Sequence, residues 1–117
     1  MAILWHQGES DSTARDAGEY AKRLEDLITR FRKELDAPDL PFIIGQLGRF
    51  PARPWDQYRE TVHAAQQEVA KKMKNVRFVP IEGMTSADNL HFDTPSLRIF
   101  AKGYVDAYLQ IAGSAKP

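Results

Sequence analysis

Three short apolar runs, Ala2 to Trp5, Phe42 to Leu47 and Val76 to Pro80, alternate with three segments of helical periodicity, and this alternation limits the chain more than any other feature. Runs of four to six apolar residues rich in β-branched and aromatic side chains suit strands buried on both faces. Strand and helix in strict turn give a parallel sheet with right-handed crossovers, an α/β fold. Three strands make a small sheet whose edges stay open unless something covers them. An exposed apolar edge along Ala2 to Trp5 is expected to drive a homodimer through the opening strand, an exchange of elements or aggregation.

The helical segments are well marked. Tyr20, Leu24, Leu27, Ile28, Phe31 and Leu35 recur at three- and four-residue spacing after Ser12 and Thr13, which offer caps, and the stretch Asp36 to Pro41 with two prolines stops the helix. The second helix is expected to begin near Pro54, a first-turn proline, with Trp55, Tyr58, Val62, Ala65, Val69 and Met73 inward. The third is expected from Thr94 as cap and Pro95 in the first turn, with Leu97, Phe100, Ala101, Tyr104, Tyr108 and Ile111 inward and Gly113 near its end. Gly103 inside this helix calls for a close approach to the sheet.

Composition narrows the partners. Sixteen basic residues balance sixteen acidic ones, so the charge gives no general attraction to nucleic acid or to an anionic membrane. Cysteine is absent, which excludes disulfides and thiolate metal sites. No signal peptide or spanning segment is recognisable. At 117 residues the chain is expected to form a single, partial domain.

Two polar stretches carry the chemistry. Leu4-Trp5-His6-Gln7-Gly8-Glu9-Ser10-Asp11 turns from apolar to polar within one residue, and Gly8 permits a sharp turn that projects Gln7, Glu9 and Ser10 from the strand's C-terminal end. Open α/β sheets hold their ligands at that edge. Ser86-Ala87-Asp88-Asn89-Leu90-His91-Phe92-Asp93 follows the third strand and reaches the same edge. Asp88 and His91 are spaced to fold toward each other, the carboxylate fixing the tautomer of an imidazole that takes a proton with its other nitrogen. His6, beside Trp5, and His63 read as packed or boundary histidines, and Arg49 and Arg53 as solvated arginines.

These two stretches, the first helix with Tyr20, Arg23, Leu24 and Leu27, the Pro41 to Leu47 strand and the Arg59 to Gln66 segment together resemble the SGNH (GDSL-like) hydrolases. Within them the chain most resembles carbohydrate esterase family six and the related sialate O-acetylesterase domain. The resemblance implies a flavodoxin-like fold, a five-stranded parallel sheet between helices, of which this chain would supply the last three strands. It implies an acetyl esterase acting on a small acetylated substrate such as a carbohydrate ester, with no cofactor and no metal. His91 would be the general base, Asp88 its partner and Glu9 a second acidic contact to the histidine. Gln7, with Gly8, would lie near the oxyanion.

One departure stands out. The family's nucleophilic serine lies in an N-terminal glycine-rich element after the first strand, and no such element occurs here; the resemblance covers only the C-terminal half. Ser10, in Gly8-Glu9-Ser10-Asp11, is the serine that could stand in as nucleophile, although its place corresponds to the loop after the family's third strand. His6, Glu9, Asp11 and His91 form an alternative metal set, imidazole and carboxylate being suited to zinc or manganese. A non-enzymatic alternative is an inactive scaffold or interaction module pairing through its first strand.

Overall fold

A computed structural model describes residues 1–81, 84–86, 88 and 91–114. The elements run β1 (Ile3–Trp5), a 3-10 turn (Ala17–Glu19), α1 (Tyr20–Glu34), β2 (Phe42–Gly45), α2 (Gln57–Lys72), β3 (Val76–Val79) and α3 (Thr94–Ser114). The strands form one parallel sheet in the order β1-β2-β3, with Leu4 opposite Ile43 and Ile44 opposite Phe78. This is the α/β architecture that the alternation predicts. Of the polar loop expected over Glu82 to Asp93, positions 82, 83, 87, 89 and 90 lie outside the described residues.

Side chains alternate across the sheet and divide the core in two. Phe42 and Ile44 join Tyr20, Leu24, Ile28, Val62, Ala65 and Val69 beneath α1 and α2. Ile43 and Val79 join Phe92, Phe100, Tyr104 and Ile111 beneath α3. Every residue of β2 is buried, as the central strand of a sheet covered on both faces must be. Arg32 ties the end of α1 to the sheet, donating to the carbonyls of Leu40 (2.9 and 3.1 Å) and Lys74 (2.7 Å).

The starts of the second and third helices differ from expectation, in both cases because a carboxylate makes the cap. The second helix, expected near Pro54, begins three residues on at Gln57, since Asp56 accepts the Arg59 N–H at 2.9 Å. Its flanking Trp55 packs against the core from the loop and donates its indole N–H to the Gly48 carbonyl at 2.7 Å. In α3 the cap is Asp93, which accepts the Ser96 N–H at 3.0 Å, while Thr94 is the first helical residue. The first helix is preceded by the 3-10 turn, where the Thr13 hydroxyl accepts the Asp16 N–H.

The stripe assigned to α3 is also wider than what the sheet buries. Phe100, Tyr104 and Ile111 are buried, but Leu97 is 48% exposed and Ala101 is exposed. A helix lying over three strands covers about a third of its circumference, so the flank toward β1 remains uncovered. Gly103 approaches β3 closely: a Cβ there would lie 2.7 Å from the Val79 side chain.

Candidate active site

At the C-terminal end of β1 the chain turns through Gly8, whose φ of +148° is a conformation that L side chains rarely adopt. Space enforces glycine as well, because a Cβ at position 8 would lie 2.9 Å from Val62 and 3.1 Å from Leu47. Behind the turn, the Gln7 carbonyl accepts two hydrogen bonds at 2.9 Å, one from the Tyr20 hydroxyl and one from the Gln66 amide. Gln66 is fully buried and also donates to the Tyr20 oxygen at 3.2 Å. The Gln7 carbonyl therefore points inward between α1 and α2, and in a trans peptide the Gly8 N–H points the opposite way. Burial raises the Tyr20 pKa, keeping that phenol a donor.

In the sequence, Gln66 and Tyr20 both lie in segments that carry the family resemblance, and Tyr20 also lies on the inward stripe of the first helix. A signal was present: Gln66 falls on the inward stripe of Val62, Ala65 and Val69, and a polar residue there has to satisfy something buried.

The second stretch delivers the expected pair. His91 Nδ1 lies 2.9 Å from Asp88 Oδ2, and the His91 backbone N–H donates to Asp88 Oδ1 at 2.8 Å. Both side chains are largely exposed, 69% and 56%, so the local turn, not burial, holds the pair together. The turn has its own supports: the Ser86 hydroxyl donates to Asp88 Oδ1 at 3.0 Å and accepts the Asp88 N–H at 3.2 Å. It is pinned to α3 through Thr85, whose N–H donates to Ser96 Oγ at 2.8 Å and whose carbonyl accepts the Asp93 N–H at 3.1 Å. The Thr85 hydroxyl on Asp93, and next the Ser96 N–H, hold that carboxyl below its usual range.

His6 stands between the two stretches. Its ring stacks on Phe92 with centroids 5.5 Å apart and meets Phe100 edge-on at 5.0 Å, while Nε2 lies 3.1 Å from the Gln46 carbonyl. Its packing matches the structural reading of this histidine. The aromatic flanks desolvate the ring and lower its pKa, against the opposing effects of the Glu9 charge and the Gln46 bond, with His91 adding a smaller push downward.

The remaining residues are distributed around the turn. Gln7 directs its amide Nε2 to Asp11 at 2.5 Å, and the Ser12 hydroxyl donates to the Gly8 carbonyl at 2.8 Å. Glu9 and Ser10 line a cavity of about 440 Å³ with Gly48, Arg53, Trp55 and Arg59; His91 and Asp88 do not line it. Arg49 is not simply solvated, since it lies 3.9 Å over the Trp55 ring and pairs with Glu60 at 3.0 Å. The metal alternative finds no support in the geometry, because among the described residues no three histidine or carboxylate side chains come close enough to share an ion.

With this geometry in place, comparison with known proteins becomes informative. Residues 1–110 match the model of the carbohydrate esterase, sialic acid-specific acetylesterase family. The chain belongs to this family. A relative described as a probable carbohydrate esterase from Arabidopsis thaliana is 33% identical over 110 residues, a match spanning 92% of this chain and 40% of the relative. A crystal structure of an Arabidopsis thaliana protein superposes with a TM-score of 0.80 at 32% identity, covering 93% of this chain and 44% of that one. The chain thus spans less than half the length of the family members it matches, and within that span the α/β fold is the same.

Proposed function

We propose that this chain carries the base half of a carboxylic-ester hydrolase that removes acetyl groups from acetylated carbohydrate or similar small esters. The observation that supports this most directly is the His91–Asp88 pair at 2.9 Å, set on the turn that follows β3. With Nδ1–H held by the carboxylate, His91 is the tautomer whose Nε2 accepts a proton. In the parent reaction a serine hydroxyl loses its proton to Nε2 as it attacks the ester carbonyl, and Asp88 stabilises the imidazolium that forms. The imidazolium then returns the proton to the departing alkoxide, and the same base activates water to hydrolyse the acetyl-enzyme.

The oxyanion of the tetrahedral intermediate needs oriented donors. The outward Gly8 N–H is one, and the Gln7 side chain, once released from Asp11, is a second. The Glu9 charge favours the protonated form of His6, on the same edge of the sheet. No counterpart of the family's glycine-rich serine element exists among these 117 residues. In this chain alone, His91 therefore acts on water, which is a slower reaction than acyl transfer through serine.

The test is p-nitrophenyl acetate hydrolysis. The expected result is a slow turnover that falls by about 100-fold or more in His91→Ala, the lower end of a general base's contribution, and survives in Ser10→Ala. Loss in a folded Ser10→Ala variant, with a single organophosphonate adduct mapping to that residue, would instead make Ser10 the nucleophile. A rate unchanged in His91→Ala would overturn the proposal.

A further inference from the structure

The peptide between Gln7 and Gly8 is a place where the backbone could face either way. Gly8 has no Cβ to oppose its φ of +148°, and turning the peptide about its two flanking bonds would exchange the directions of its C=O and N–H with little strain. The contacts of the peptide therefore decide which group faces the helices and which faces the edge of the sheet.

Those contacts are one-sided. The Gln7 carbonyl accepts from the Tyr20 hydroxyl and from the Gln66 amide, both at 2.9 Å. Gln66 has to present its NH2 end there, because a carbonyl oxygen accepts and cannot donate. The same nitrogen donates to the Tyr20 oxygen at 3.2 Å, which leaves the phenol proton for Gln7. A reversed peptide would aim the Gly8 N–H at the Gln66 NH2, donor against donor, in a layer where Gln66 and Tyr20 are both buried. Unmatched buried donors are costly. The next peptide is held as well, since the Gly8 carbonyl accepts the Ser12 hydroxyl at 2.8 Å.

Gln66 itself is not explained by packing. It shares its buried stripe with Val62, Ala65 and Val69, and its Oε1 has no hydrogen-bond partner among the described residues. An apolar side chain would fill that place without burying a polar atom. What offsets the cost lies at the Nε2 end, which grips the Gln7 carbonyl directly and again through Tyr20. That nitrogen sits against the turn, 3.3 Å from where a Cβ of residue 8 would be.

We propose that Gln66 and Tyr20 are positioning residues of the esterase site: by holding the Gln7 carbonyl inward they keep the Gly8 N–H outward, oriented as an oxyanion donor before substrate arrives. The inference rests on the ester-hydrolase reading and deepens it. Oriented donors help most when they need no rearrangement during the reaction. The clamp supplies that orientation from beneath, without touching substrate.

The test uses the 117-residue chain labelled with the heavy nitrogen isotope, native and as Tyr20→Phe, Gln66→Met and the double variant. Phenylalanine removes only the hydroxyl, and methionine keeps an unbranched side chain without the amide. The one-bond N–H dipolar coupling of Gly8 in an aligned sample reports the direction of that bond independently of activity. In the double variant it should move toward an average of two directions while the couplings of α1, α2 and the strands are kept. The kcat for p-nitrophenyl acetate should fall by about 10-fold or more at unchanged KM, less than the roughly 100-fold of deleting a donor outright. Tyr20→Phe alone should shift both readouts the same way and less. An unchanged Gly8 coupling in the double variant would overturn the inference, and so would an unchanged coupling and rate in Tyr20→Phe if Gln66→Met fails to fold. His91→Ala in parallel separates two failures. A rate independent of His91 overturns the esterase reading and this inference with it, whereas a rate that depends on His91 but not on the direction of the Gly8 N–H overturns the positioning role alone.

Discussion

Single residues here are set by what they are forced to satisfy. Gln66 and Tyr20 are polar groups in an apolar layer, and both turn their donors to one carbonyl, that of Gln7. His6 and His63 lose solvent without gaining a carboxylate partner, and desolvation is the first cause of the lowered pKa of each. The sign of the resulting pH dependence follows. A histidine whose folded pKa lies below its ordinary 6.5 binds fewer protons folded than unfolded in the interval between the two values. Its contribution to stability is complete above pH 6.5 and is lost as pH falls through the folded value. Thermal unfolding followed from pH 7.5 to 5 (a window of about two to three units around the histidine range) should show a decreasing midpoint, with a shallower decrease in His63→Phe. A midpoint that rises on acidification would contradict these environments.

Elements place these residues, and they were legible in the sequence to different degrees. The strands and helices followed from periodicity, because burial of one face imposes it: β2 is apolar throughout and buried throughout. The His91–Asp88 pair was legible because a three-residue separation within one turn leaves few geometries. What could not be read was orientation across elements. Nothing local to Gln7 reveals that its amide meets Asp11, or that a helix 59 residues away holds its carbonyl. Helix starts were misplaced where proline or threonine was preferred over a carboxylate. The position of the true cap gives a prediction at this scale: Asp56→Ala should destabilise the fold by about 1 kcal/mol in urea unfolding, by leaving the Arg59 N–H without its acceptor. Pro54→Ala, outside the helix, should cost less.

At the scale of the whole molecule, α1 and α2 close one face of the sheet, whereas α3 alone must serve the other and leaves a flank beside β1 uncovered. A different feature governs how the site holds its shape. β2 ends at Gly45, yet the Gln46 side chain accepts the Ile81 N–H at 3.2 Å and donates to the Ile81 carbonyl at 3.1 Å. An amide side chain thus reproduces the pairing of a peptide unit, and the sheet continues for one rung in borrowed form. The segment bearing His91 departs from that rung, and the Gln46 carbonyl meets His6 on the other side. One glutamine therefore acts as the hinge pin of this edge of the sheet, so that swinging the segment after Ile81 away would require unzipping what is, chemically, the last bond of the sheet.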